Sequence, residues 1–81
     1  MLLPKGEREV PITWPNVARV IRFSSQDAKI KIDWIDVPDP SVETRLKDHK
    51  YQQWPIPAKC KSARIVREDD LDSLIDYRAS D

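Results

Sequence analysis

The sequence predicts a small, mainly β domain with one short α element, built as a barrel or a strongly bent antiparallel sheet. Three observations predict it. Short stretches of apolar–polar alternation recur along the chain, clearest at Ala28–Trp34, and turn chemistry falls between them. The 81 residues, 40% hydrophobic and 35% charged, suit a single core under a charged skin.

Residues 9–14 alternate, with Val10, Ile12 and Trp14 on one side and Glu9, Pro11 and Thr13 on the other. Pro11 has no N–H to give to a ladder, which makes this an edge strand. Pro15-Asn16 supplies a turn. Residues 17–23 are rich in β-branched side chains, and residues 28–34 set Ala28, Ile30, Ile32 and Trp34 against Lys29, Lys31 and Asp33. Ser24-Ser25-Gln26-Asp27 between them reads as a hairpin loop, so these two strands are expected to pair. Ile35 and Val37 continue in the opposite phase, as in a strand end buried on both faces or bulged near Trp34.

Val37-Pro38-Asp39-Pro40 closes that strand. Asp39 can cap a helix with Pro40 in its first turn, and a helix over residues 40–52 is expected, with a thin stripe of Val42, Leu46 and His49. Trp54-Pro55-Ile56-Pro57 must be extended, and residues 60–66 read as a last strand. The domain is thus expected to span residues 1–67. Residues 68–81 form an acidic amphipathic tail in which Leu71, Leu74 and Ile75 fall at helical spacing, a short helix or a disordered segment. Trp-Pro recurs at 14–15 and 54–55, and Ala-Arg-Val-Ile-Arg at 18–22 echoes Ala-Arg-Ile-Val-Arg at 63–67. The spacing between echoes differs, so shared strand composition explains them better than duplication.

Trp14, Ala18-Arg19-Val20-Ile21, Ala28-x-Ile30-x-Ile32-Asp33, Ile56-Pro57 and Ala63-Arg64-Ile65-Val66-Arg67 together form a pattern that resembles the SH3-like domain ending retroviral integrases. The resemblance implies a small SH3-like or Tudor-like barrel and contact with DNA. The chain departs from that family in lacking its tight-turn glycines, in lacking the catalytic core, and in carrying a charged excursion where the family has a short turn. The resemblance therefore bears on fold rather than on membership.

Catalysis is not expected. One His, one Cys and one Gly leave few of the usual catalytic combinations. Cys60 and His49 would have to meet to make a thiolate and its base, and a structural thiol is the simpler reading. No second Cys or His accompanies them for a metal, and no glycine-rich loop exists to cradle a nucleotide, so no cofactor is expected. A lone cysteine suits a reducing compartment, cytosolic or nuclear. The opening residues lack the apolar run of a signal peptide, and no stretch is long and apolar enough to span a membrane. Neither a membrane nor a small-molecule substrate is expected as partner.

Lys+Arg and Asp+Glu both number 14, so the whole chain offers no long-range attraction for polyanions. The charges are nevertheless segregated. Residues 44–67 hold Arg45, Lys47, Lys50, Lys59, Lys61, Arg64 and Arg67 against Asp48, whereas residues 68–81 hold six carboxylates against Arg78. The leading expectation is a non-enzymatic protein–protein interaction or regulatory module. It would act through Tyr51, Trp54, Leu71, Leu74, Ile75 and Tyr77, with the tail docking in a partner's groove. The tail's apolar residues can equally cap the domain's own core, or its acids can fold back over the basic stretch. The competing expectation is nucleic-acid binding, with Lys59, Lys61, Arg64 and Arg67 on phosphates and Tyr51 or Trp54 stacking on an unpaired base. Trp14 and Trp34 are expected in the core, and Trp54, set outside any alternation, is the candidate interface anchor.

Overall fold

Seven strands form in the computed structural model, which describes residues 1–47 and 50–81. They are β1 (Glu9–Thr13), β2 (Val20–Ser25), β3 (Ala28–Trp34), β4 (Val42–Leu46), β5 (Tyr51–Pro55), β6 (Ser62–Arg67) and β7 (Ile75–Ser80). Two antiparallel sheets result, one ordered β1-β6-β3-β4 and the other β5-β2-β7. The fold is mainly β, contains no helix among the described residues, and does not close into a barrel.

The alternation locates the inner face. Val10 and Ile12 of β1, Ile21 and Phe23 of β2, Ile30 and Ile32 of β3, and Ala63 and Ile65 of β6 are all buried. In the first sheet their register aligns, with Val10 and Ile32 flanking Ile65. The sheets therefore share one interior, because every strand sends its even or odd set to the same side. β1 lies at an edge, as Pro11 requires.

Three expectations are corrected. β2 and β3 form, but they do not pair. β2 lies between β5 and β7, and β3 between β4 and β6. At the corner joining them, the Gln26 N–H donates to the Leu74 carbonyl and the Leu74 N–H donates to Gln26 Oε1, both at 3.3 Å. The connection is thereby satisfied by residues 68–74 instead of by a hairpin turn. β3 then ends at Trp34, and Ile35 is exposed.

The helix expected over residues 40–52 is replaced by β4 and the start of β5. Val42 and Leu46 lie four apart, a spacing that satisfies both helical and strand periods. Half-buried Thr44 between them, on the same face, fits only the strand. His49, the third member of the expected stripe, and Asp48 lie outside the described residues.

The acidic segment is not a helix either. β7 pairs with β2 along its whole length, from Val20 opposite Ser80 to Ser25 opposite Ile75. Ile75 is buried and Tyr77 and Ala79 are half-buried, so the period from Ile75 onward is two. Nor do the acids cover the basic stretch. Asp69 accepts from the Lys29 N–H at 3.1 Å and meets Arg45 at 3.3 Å, and Glu68 meets Lys29 at 3.6 Å. The Lys29 amide, and to a lesser degree Arg45, hold the Asp69 carboxyl below its ordinary pKa. Arg45, whose guanidinium is raised chiefly by its bond to Asp27, is the only cation of residues 44–67 that the acidic run engages among the described residues.

The outer edge of β7 is covered at its start by the first residues of the chain. Leu3 N–H donates to Ile75 O and Tyr77 N–H to Met1 O, each at 2.9 Å, and the Met1 amine meets Asp76 at 2.6 Å. Trp14 and Trp34 meet edge to face with centroids 6.3 Å apart, and Trp14 Nε1 donates to the buried Cys60 carbonyl at 3.0 Å. Trp14→Phe keeps most of the packing but orphans that carbonyl. It is expected to lower stability by about 1–3 kcal/mol, read as a shift of the urea midpoint at unchanged m.

Candidate binding site

One flank of the sandwich is open. β4 is the edge of the first sheet and β5 the edge of the second, and residues 47–50 join them. Near that join the Gln52 side chain ties the two, accepting from the Lys47 N–H at 2.7 Å and donating to the Arg45 carbonyl at 3.4 Å. Toward their other ends lies a groove of about 280 Å³, walled by Trp34, Asp39, Pro40, Val42, Trp54, Pro55, Ile56 and Pro57.

Each wall has a local cause. Trp34 closes β3 with its ring on the core side, and Trp54 is the last inward residue of β5, its ring edge-on to Phe23 with centroids 5.9 Å apart. Pro55 and Pro57 bias Trp54 and Ile56, the residues before them, toward extended backbone and contribute no N–H, which keeps that wall apolar. Ile56 between them donates its N–H to the Arg19 carbonyl at 2.8 Å, anchoring the segment to the start of β2.

Ile56 and Pro57 also line a second cavity of about 410 Å³. Its other walls come from Asn16 and Arg19 in the β1–β2 connection and from residues 58–61. The turn at residues 57–60 is closed by the Cys60 N–H donating to Pro57 O at 3.1 Å. Lys59 there holds a left-handed φ of 67°, a conformation that costs a residue with a Cβ about 1–2 kcal/mol. The Trp14 indole fixes the Cys60 carbonyl, and Asp36 accepts from the Lys61 N–H at 2.9 Å and the Ser62 hydroxyl at 3.0 Å. These anchors present exposed Arg19, Lys59 and Lys61 around one cleft, and none of the three is in an ion pair with a described carboxylate. The Cys60 thiol is buried and donates to the Ser62 carbonyl at 3.2 Å, a structural placement.

The ten residues singled out from sequence are scattered. Trp54 lines the groove, and Lys59 and Lys61 line the cleft beside it. Tyr51 is 79% exposed on the outer face of the second sheet, away from both. Arg64 lies on the outer face of the first sheet, 3.5 Å from Asp33. Arg67 is corrected outright: its side chain is buried and unavailable to a phosphate. The proposed tail stripe also dissolves, since Ile75 is in the core, Tyr77 lies half-buried against Met1, Leu71 is half-buried in the connection, and Leu74 sits at the β2–β3 corner. Sequence reasoning missed Arg19, Asn16, Pro40 and Val42. Arg19 sits inside the Ala-Arg-Val-Ile-Arg echo, where its strand-like context concealed that it precedes β2 and faces a cleft.

Among the described residues no three His, Cys, Asp or Glu side chains converge as a metal site, and no helix is long and apolar enough to cross a membrane. No family model, curated protein or solved structure matches the chain.

Proposed function

We propose that the chain is a non-enzymatic binding module that takes an extended segment of another protein along its open flank. Apolar or proline residues of the segment lie against Trp34 and Trp54, and acidic residues reach Arg19, Lys59 and Lys61. The observation that carries this reading is that the two cavities share Ile56 and Pro57 as lining, which sets the apolar groove and the cationic cleft side by side. An aromatic- and proline-lined groove suits a segment that is already extended, because little conformational entropy is lost on docking. The flanking cations add charge complementarity, which governs specificity and on-rate more than affinity. In this reading the fold is an SH3-like or Tudor-like barrel left open along one seam. A reducing compartment, cytosol or nucleus, suits its single buried thiol.

Selection from a random library of short displayed peptides tests this. Enriched sequences are expected to combine apolar or proline residues with adjacent acids. Trp54→Ala should weaken a selected peptide by about 30-fold, the scale of an interface anchor worth about 2 kcal/mol. The double variant Lys59→Glu/Lys61→Glu, at exposed positions, should abolish the preference for acids while leaving the fold intact. Peptides that bind both variants as tightly as the parent would sink the reading.

A further inference from the structure

The outer face of the second sheet carries a feature independent of the groove. Across its three strands, Tyr51, Ser24 and Asp76 form one row, and Gln53, Arg22 and Arg78 form the next. Arg22 and Arg78 are directly opposite one another and both exposed. Like charges in that relation work against the sheet. No described carboxylate is within ion-pair distance of either. On its other side Arg22 meets an amide instead, its Nε donating to Gln53 Oε1 at 3.2 Å. The carboxylate of the adjoining row, Asp76, is engaged by the Met1 amine at 2.6 Å.

Tyr51 completes the arrangement. It stands opposite Ser24 and diagonal to Arg22, a separation of about 7–8 Å or less that long and aromatic side chains span. A shallow depression of about 160 Å³ lies among Arg22, Ser24, Tyr51, Asp76, Tyr77 and Arg78. Two side-by-side guanidiniums offer planar donors matched to phosphate oxygens. An exposed ring on a sheet face offers a stacking platform, which a base can use only when it is unpaired. We propose that this face binds single-stranded nucleic acid, with Arg22 and Arg78 on the backbone phosphate and Tyr51 stacked on a neighbouring base. Recognition of this kind tolerates sequence, because every base has a π-face.

Fluorescence anisotropy of the full chain with a labelled oligothymidylate, over a series of salt concentrations, tests the proposal. Binding is expected at low salt. Arg22→Gln and Arg78→Gln should each reduce the slope of log K against log salt by about 0.7, and the double variant by about 1.4. Tyr51→Ala should weaken binding about fivefold or more at an unchanged slope. Lys59→Gln/Lys61→Gln should leave both quantities unchanged. The arginine variants relieve a like-charge contact, so their melting temperatures should not fall, which separates lost binding from lost folding. The proposal is overturned by no binding at low salt, a double arginine variant with the parent's slope, an unaffected Tyr51→Ala, or loss of the slope in the lysine variant instead. Displacement of the oligonucleotide by polyglutamate at equal charge also overturns it, in favour of an acidic peptide.

Discussion

Arg67→Ala is expected to lower the free energy of unfolding by about 3–5 kcal/mol, a large part of the total available to a domain of this size. The side chain is 0% exposed at the end of β6. Its Nη1 donates to Glu7 O at 2.7 Å, its Nη2 to Ser73 O at 3.2 Å and its Nε to Ser73 Oγ at 3.3 Å. Among the described residues no carboxylate is paired with it, so neutral dipoles alone stabilise the buried cation. Deleting the guanidinium leaves those acceptors without their donors, at about 1–3 kcal/mol for each one that water cannot reach, and adds a cavity. Relief of the buried charge offsets part of this. Arg67→Met fills the space without the bonds and should fall between parent and Arg67→Ala. Urea denaturation with both variants measures the series. A midpoint for Arg67→Ala within about 1 kcal/mol of the parent's would mean that the guanidinium contributes little beyond its stem.

Removing residues 68–81 is expected to abolish cooperative folding altogether. β2 has two neighbours, and this truncation takes away β7 and leaves it with β5 alone. A two-stranded ribbon is marginal in water. The same cut uncovers Ile21 and Phe23, deletes the buried Ile75, and strips Arg67 of both Ser73 acceptors. The first residues of the chain, whose Leu3 is buried against the edge of β7, lose their seat as well. Far-ultraviolet circular dichroism through a thermal ramp, with amide chemical-shift dispersion, reads the result. A sigmoidal transition with native dispersion in a chain of residues 1–67 would show that the first sheet organises the fold alone.

Much of the strand content was legible because alternation is a local property. β1, β3 and β6 fall where apolar residues recur every second position, and Pro11 marked its strand as an edge. Which strands share a sheet was not legible, since pairing depends on partners far along the chain. The helix expected over residues 40–52 came from a spacing of four that two periods share. The stripe at Leu71, Leu74 and Ile75 came from three residues that straddle a connection and a strand. For the candidate site, Gln53 before Trp54 and Pro55 after it, in place of strand alternation, set it apart from a core tryptophan, and local charge drew attention to Lys59 and Lys61. A run of cations along the sequence cannot reveal burial, however, and so Arg67 was grouped with them. Arg22 and Arg78 escaped notice for the complementary reason: each is an isolated cation until the sheet sets them face to face.

The distribution of successive strands between sheets governs how this molecule must fold. Only β3 and β4 are both adjacent in sequence and paired, while every other connection passes from one sheet to the other. Each remaining ladder joins segments that begin far apart, β2 to β7 and β1 to β6 most of all. Loop-closure entropy must therefore be met before most of the backbone bonds form, which puts the folding rate toward the slow, millisecond-to-second end of the range for small domains. During synthesis, β2 reaches its full set of neighbours only after β7 has left the ribosome. Until then its edge and the apolar side chains of Ile21 and Phe23 are available to other chains, so the hazard of misassembly falls in the interval before the last strand arrives.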